Sequence, residues 1–177
     1  KHNLMAQNNG VAITRWEYND KNSITAEYYY DENENRCALA TGEYGFIREY
    51  DRQNNMTNQT FVDGDKKPIM TTRGYASVKN EFDGQRRVVL STYFNEKDIP
   101  VCLPSSYASV AYMRNENGNI ISEKYYNENK EPMAISLGQY GVVYDYNDNN
   151  EIVKCTYIGD DGNPIMLTLG YAILHRE

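Results

Sequence analysis

Five side chains stand out for what they could hold: Trp16, Arg48, Tyr112, Arg114 and Tyr144. Flat aromatic faces pack on the apolar faces of sugars and on peptides, and a guanidinium offers a planar fork of donors that also stacks on rings. The chain is built of a recurring unit, described below. Trp16, Arg48, Asn80, Tyr112 and Tyr144 share a position of that unit where residue type is less regular. Arg114 stands where the other units carry Tyr18, Tyr50, Phe82 and Tyr146. A scaffold follows its repeat, whereas a binding site breaks it. These five residues are therefore the expected ligand contacts, and Arg36 and Ser106 are further departures from the pattern. The regular tyrosines between them read more plainly as a cross-strand ladder of the core.

Other chemistry is poorly supplied. His2 and His175 lie at opposite ends of the chain, so neither has a local nucleophile or acid to work with. Paired carboxylates need separated environments to act as acid and base, and no unit differs enough to suggest a cleft. Cys37, Cys102 and Cys155 fall at three different positions of the unit, without Cys-x-x-Cys spacing, and read as small buried side chains. Three turns, Asp31-Glu32-Asn33-Glu34-Asn35, Asp63-Gly64-Asp65 and Asp160-Asp161-Gly162-Asn163, have the oxygen-rich character of calcium loops. None completes the full ligand pattern, so solvated turns are expected. No catalytic residue, metal site or cofactor is expected.

The net charge of −7 repels a phosphate backbone, which argues against nucleic acid as a partner. No apolar run approaches the ~18 residues of a membrane-spanning helix, and no secretion leader is seen. The chain starts and stops inside its repeat frame and is expected to be a piece of something longer.

The elements that position these residues follow from a 32-residue period. Gly10, Gly42, Gly74, Ser106, Gly138 and Gly170 open successive units. Ile24, Met56, Val88, Ile120 and Ile152 recur at position 15, and Tyr29, Phe61, Tyr93, Tyr125 and Tyr157 at position 20. Position 27 is Arg36, then Pro68, Pro100, Pro132 and Pro164. The repeats are 10–41, 42–73, 74–105, 106–137 and 138–169, with residues 1–9 ending a preceding repeat and 170–177 starting a sixth. Each reads as a strand, an Asn/Asp/Gly turn, a second strand over positions 15 to 21, a second turn, and a short third strand such as CALA or IMTT. Glu17, Glu49, Glu81 and Asp145 place a wet acidic side on the first strand. The expected fold is all-β: an elongated array of stacked antiparallel β-hairpins, in which each unit buries its apolar face on its neighbours. A parallel β-solenoid is the runner-up. Hairpins set position 9 opposite position 15, while a solenoid pairs position 9 with position 9 of the next unit.

Glu49-Tyr50-Asp51, Tyr30-Asp31, Asn117-Gly118-Asn119-Ile120 and Asp161-Gly162-Asn163-Pro164 resemble the tyrosine–aspartate (YD) repeats of bacterial Rhs-type and surface proteins. A looser resemblance is to the aromatic repeats of choline- and glucan-binding cell-wall modules. The resemblance implies bacterial origin, stacked hairpins and a secreted or cell-surface location. The expected function is a non-catalytic repeat module of a larger protein, serving adhesion or cell-wall and glycan binding. Expected partners are a cell-wall polysaccharide, a host glycan or protein, and flanking repeats or domains of the same chain. The alternatives are a structural spacer or shell, or an accessory region attached to an enzyme or toxin.

Overall fold

The computed structural model describes residues 10–104 and 106–175. The repeat tail expected over residues 1–9 lies outside the described residues, as do Ser105 and residues 176–177. Two compact bodies are distinguished, Lys1–Asn80 with Tyr93–Ile99, and Glu81–Thr92 with Pro100–Glu177. The first holds β1 (Ile13–Tyr18), β2 (Ile24–Tyr30), β3 (Gly45–Tyr50), β4 (Met56–Val62) and the start of β5 (Ser77–Phe82). The second holds most of β6 (Val88–Phe94), then β7 (Ser109–Arg114), β8 (Ile120–Tyr126), β9 (Gly141–Tyr146), β10 (Ile152–Ile158) and β11 (Ile173–His175). In each body the strands lie side by side in chain order, all antiparallel, as an open sheet. Among the described residues there is no helix, and so none long and apolar enough to cross a membrane.

Register decides between the two expected architectures. Tyr18 faces Ile24, Tyr50 faces Met56, Arg114 faces Ile120 and Tyr146 faces Ile152, each within one hairpin. That is the hairpin pairing, and the solenoid alternative falls with it. Each of these hairpins also carries a bulge beside the turn, between Glu17 and Tyr18 in the first. The bulge adds one residue to the second strand and raises the local twist.

The Tyr-Asp pairs have a structural cause. The residue after the strand tyrosine caps the turn that follows. Asp51 Oδ1 accepts the N–H of Gln53 and of Asn55, at 2.9 and 2.8 Å. Asn19, Asp83 and Asn147 do the same in their hairpins. Asp31, Asp63, Asn95 and Asn127 cap the second turn of the unit in the same way. These bonds favour the ionised carboxylate, so Asp31 lies below the ordinary range, chiefly through Asn35, and Asp83 through the Arg87 backbone. Each turn passes through one left-handed residue, Asn22, Asn54, Arg86 and Asn150 in the first turn and Glu34, Lys66, Asp98 and Lys130 in the second.

The expected third strand does not form. Position 27 makes a single bridge, Tyr30 with Arg36, Val62 with Pro68, Tyr126 with Pro132 and Ile158 with Pro164. One further bond follows, for example Ile69 N–H to Phe61 O at 3.0 Å. Proline has no N–H to extend a ladder, and three residues later the chain turns back, with Gly74 N–H donating to Thr71 O.

Both faces of the strand ends are covered. Tyr29, Phe46 and Phe61 are buried on one face of the first body, and Ala26, Tyr28 and Val62 on the other. Val110, Tyr125 and Val142 repeat the first face in the second body. Each of the larger side chains among these contributes about 1.5–3 kcal/mol by leaving water. The turn between units supplies the cover in two ways. Tyr75 packs tilted against Phe61 and edge-on against Tyr93, with ring centroids 5.5 and 4.9 Å away, and Tyr107 lies parallel to Tyr125 at 4.9 Å. Those repeats read Tyr-Ala-Ser over 75–77 and 107–109. Two others read Glu43-Tyr44-Gly45 and Gln139-Tyr140-Gly141, with the aromatic moved on by one residue. Glu43 and Gln139 are then buried, each keeping one side-chain oxygen without a partner.

Candidate functional site

The irregular position lies mid-strand, on the face that carries the aromatic ladder. In the first body Trp16 faces Glu27 across β1 and β2, and its Nε1 donates to Glu27 Oε2 at 2.7 Å. Glu27 in turn faces Phe46 on β3, which places Trp16 and Phe46 on one side of the sheet. Two residues along β3, Arg48 shares that side. Its Nε donates to Gln59 Oε1 at 2.8 Å, and its guanidinium lies 4.2 Å from the Phe46 ring centre. Trp16 is 49% exposed and Tyr18 54%, both on β1, which among the described residues pairs on one side only. The turns of the first two hairpins border a depression of about 540 Å³, lined in part by Lys21, Thr25, Arg48, Tyr50 and Arg52.

In the second body the same position holds Tyr112 facing Glu123, and Tyr144 facing Cys155. Tyr125 Oη donates to Glu123 Oε2 at 3.0 Å, and Tyr144 also interacts with that carboxylate. Burial, and then the Glu123 charge, holds the Tyr125 and Tyr144 phenols protonated far above their ordinary range. Tyr29 is raised by burial and by its bond to Glu27. These hydroxyls therefore act as donors to carboxylates. The arrangement is one of rings with acceptor oxygens between them, able to receive hydroxyl groups and apolar ring faces. Among the described residues no cluster of three His, Cys, Asp or Glu is placed to hold a metal ion.

No family model matches the chain, and no curated protein matches it. Among solved structures, 81% of the chain is similar to part of one described as the crystal structure of TcdB2-TccC3-Cdc42, at 10% identity and a TM-score of 0.37. The chain spans 7% of the length of that structure's chain. A likeness of this size carries no argument about fold or function, which rest on the strand pairing and side chains above.

The five expected residues are divided between the two bodies. Trp16 and Arg48 share a face of the first body, and Tyr112, Arg114 and Tyr144 lie in the second. Arg114 has a structural occupation. Tyr50 Oη donates to Ile24 O, and Tyr146 Oη to Ile120 O, both at 2.8 Å. Arg114 Nε reaches the equivalent carbonyl of Val88 at 3.3 Å, and its Nη1 donates to Gly118 O at 3.0 Å. Arg36 is similarly engaged, donating to Tyr44 O and Asp63 O and lying over the Tyr28 ring. Sequence reasoning missed Glu27, Gln59 and Glu123, the partners opposite the irregular position, and Lys21 and Arg52 in the turns beside it. The hairpin bulge hides the first three, because it moves the partner of position 7 from position 17 to position 18.

Proposed function

We propose that this chain is a non-catalytic repeat module of a larger bacterial surface or secreted protein that binds glycan, in a cell wall or on a host. The observation that carries the reading is the set of rings with carboxylate oxygens between them, Trp16 with Glu27 in the first body and Tyr125 and Tyr144 with Glu123 in the second, on the face where Arg48 is held in place. Rings held on rigid strands with acceptor oxygens beside them fit a stacking platform. Glu27, already accepting from Trp16, keeps oxygen lone pairs for sugar hydroxyls. The test is retention on purified cell walls and on a glycan array, with Trp16→Ala and Tyr18→Ala alongside. Binding lost in those variants, with melting unchanged, supports the reading; no binding to either material defeats it.

A second reading, a scaffold that only spaces or encloses flanking parts, is favoured by one observation. The Tyr-Asp pairs and Arg114 are engaged in holding turns and strands. It expects no ligand, and stability that rises as repeats are added.

A further inference from the structure

The depression bordered by the turns of the first two hairpins differs from the rest of the face in its charge. Lys21, Arg48 and Arg52 all reach it, in a chain whose net charge is −7. Two carboxylates, Asp20 and Asp51, also border it. Asp51 is occupied by its own turn, with Oδ1 accepting two backbone N–H groups and Oδ2 accepting Asn55 Nδ2. Among the described residues neither arginine nor Lys21 forms an ion pair. Arg48 is oriented by Gln59 and by the Phe46 ring, and both use one edge or face of the guanidinium. Arg48 itself lines the depression. Lys21 Nζ donates to Arg52 O, so the two turns that frame the opening are tied together.

The second body supplies an internal comparison. One repeat frame onward by three, the same places carry Tyr144 for Arg48, Asn117 for Lys21, Asp148 for Arg52 and Glu116 for Asp20. The backbone framework is the same, since Tyr146 repeats the Tyr50 bond and Asn150 the turn of Asn54. The three cations are therefore a property of this one place and not of the repeat.

We infer that this depression is a subsite for an acidic sugar, whose carboxylate sits on Arg48 and Arg52 while an adjoining sugar ring stacks on Trp16 or Tyr18. Trp16 and Arg48 lie on strands separated by β2, and so are about 10 Å apart across the sheet, a span within the reach of two linked sugar rings. Paired guanidinium donors match the two oxygens of a carboxylate, and neutral hydroxyls gain much less from them. The inference rests on the glycan reading above and narrows it to sugars that bear a carboxylate.

Calorimetric titration of the whole chain tests this with two matched pairs of probes: tetragalacturonate with its methyl ester, and sialyllactose with lactose. The acidic member of at least one pair is expected to bind about tenfold more tightly than its neutral partner, the difference expected for one charge-assisted contact. The margin should shrink as salt is raised. The pair that shows it distinguishes a uronate from a sialate. Arg48→Gln with Arg52→Gln should abolish the margin between the acidic and neutral members. Arg52→Gln alone, at an exposed turn residue, should reduce it without touching the packed face. Equal binding of acidic and neutral members, sensitive to Trp16→Ala, overturns the subsite and leaves the glycan reading standing. A margin that survives the double substitution overturns it as well. No binding by any of the four probes overturns the subsite, and the glycan reading is then decided by the cell-wall and array test.

Discussion

Gly45 offers the sharpest test of how the turns between repeats are built. Its φ of +155° lies in the region that favours glycine. A Cβ there would overlap the Glu27 carbonyl oxygen and stand 3.0 Å from Tyr28 Cδ1. The carbonyl belongs to the backbone of β2 and cannot swing aside, so β2 and β3 must part by about 1 Å. That gives up the Tyr29 N–H to Tyr44 O bond, 3.0 Å long, and weakens the adjoining rung. Each is worth about 1 kcal/mol, and backbone strain adds about 1 kcal/mol. The stiffer unfolded chain returns less than about 1 kcal/mol. Gly45→Ala should therefore cost about 2–3 kcal/mol net, or roughly 5–10 °C of melting temperature for a chain of this length. The companion variant replaces the whole turn with that of the next repeat: Glu43→Tyr, Tyr44→Ala and Gly45→Ser together. Ser77 and Ser109 keep negative φ, so this sequence is suited to a different backbone course. It also puts a ring between Tyr29 and Phe61 and removes the buried Glu43 oxygen that has no partner. Thermal unfolding followed by circular dichroism should show the triple variant melting above Gly45→Ala. A single variant that melts within about 1 °C of the parent, or a triple variant that melts below the single one, refutes the account.

Arg114→Tyr should keep the bond to Val88 O and leave urea stability within about 0.5 kcal/mol, whereas Arg114→Leu should cost about 1–2 kcal/mol. Equal losses would show that Arg114 does not stand in for tyrosine. The Cys102 thiol is pushed up to about 11, by burial first and then by Glu128. At pH 8 it should carry roughly a hundredfold less thiolate than an ordinary cysteine and alkylate correspondingly slowly. Alkylation as fast as that of a free thiol would contradict this. Tyr29, Tyr125 and Tyr144 are raised in the fold, by burial above all, while an unfolded chain ionises them near pH ~10. Their contribution is full below that pH and is lost as pH rises beyond it. Phenolate absorbance should therefore lag for these residues and then climb in step with alkaline unfolding. A smooth titration of all 17 tyrosines near pH ~10 would refute it.

Much of the hairpin was legible because its signals are local. Capping residues, turn residues and the strands over positions 15 to 21 all lie within a few residues of each other, and chain neighbours pair. What was hidden depends on a change of one residue in path. A bulge beside Tyr18, Tyr50, Arg114 and Tyr146 sets Trp16 against Glu27 instead of Ala26, and Tyr112 against Glu123 instead of Ser122. Nothing in the residue types marks that extra residue. Aligning Glu43 with Tyr75 in one frame likewise conceals that Tyr44 carries the ring in its repeat, pointing to the opposite face. The apparent third strand at CALA or IMTT had the right composition, but proline at its entry leaves it a single bridge.

Arg114 and Arg48 show what a departure from a repeat signifies. Both put arginine where another repeat has tyrosine, and the sequence gives no reason to separate them. Arg114 reaches the carbonyl that the tyrosine hydroxyl would reach, so the contact is conserved through a change of residue and the departure is silent. Arg48 takes a place that Tyr144 fills near a carboxylate, yet it has no carboxylate partner and opens on a depression framed by two other cations. A lone guanidinium of that kind is only modestly costly at a half-exposed position, since water solvates it. It becomes favourable when an anion arrives. The useful measure of a departure is therefore the contact that it leaves unmade, and by that measure Arg48, not Arg114, points outward from the fold.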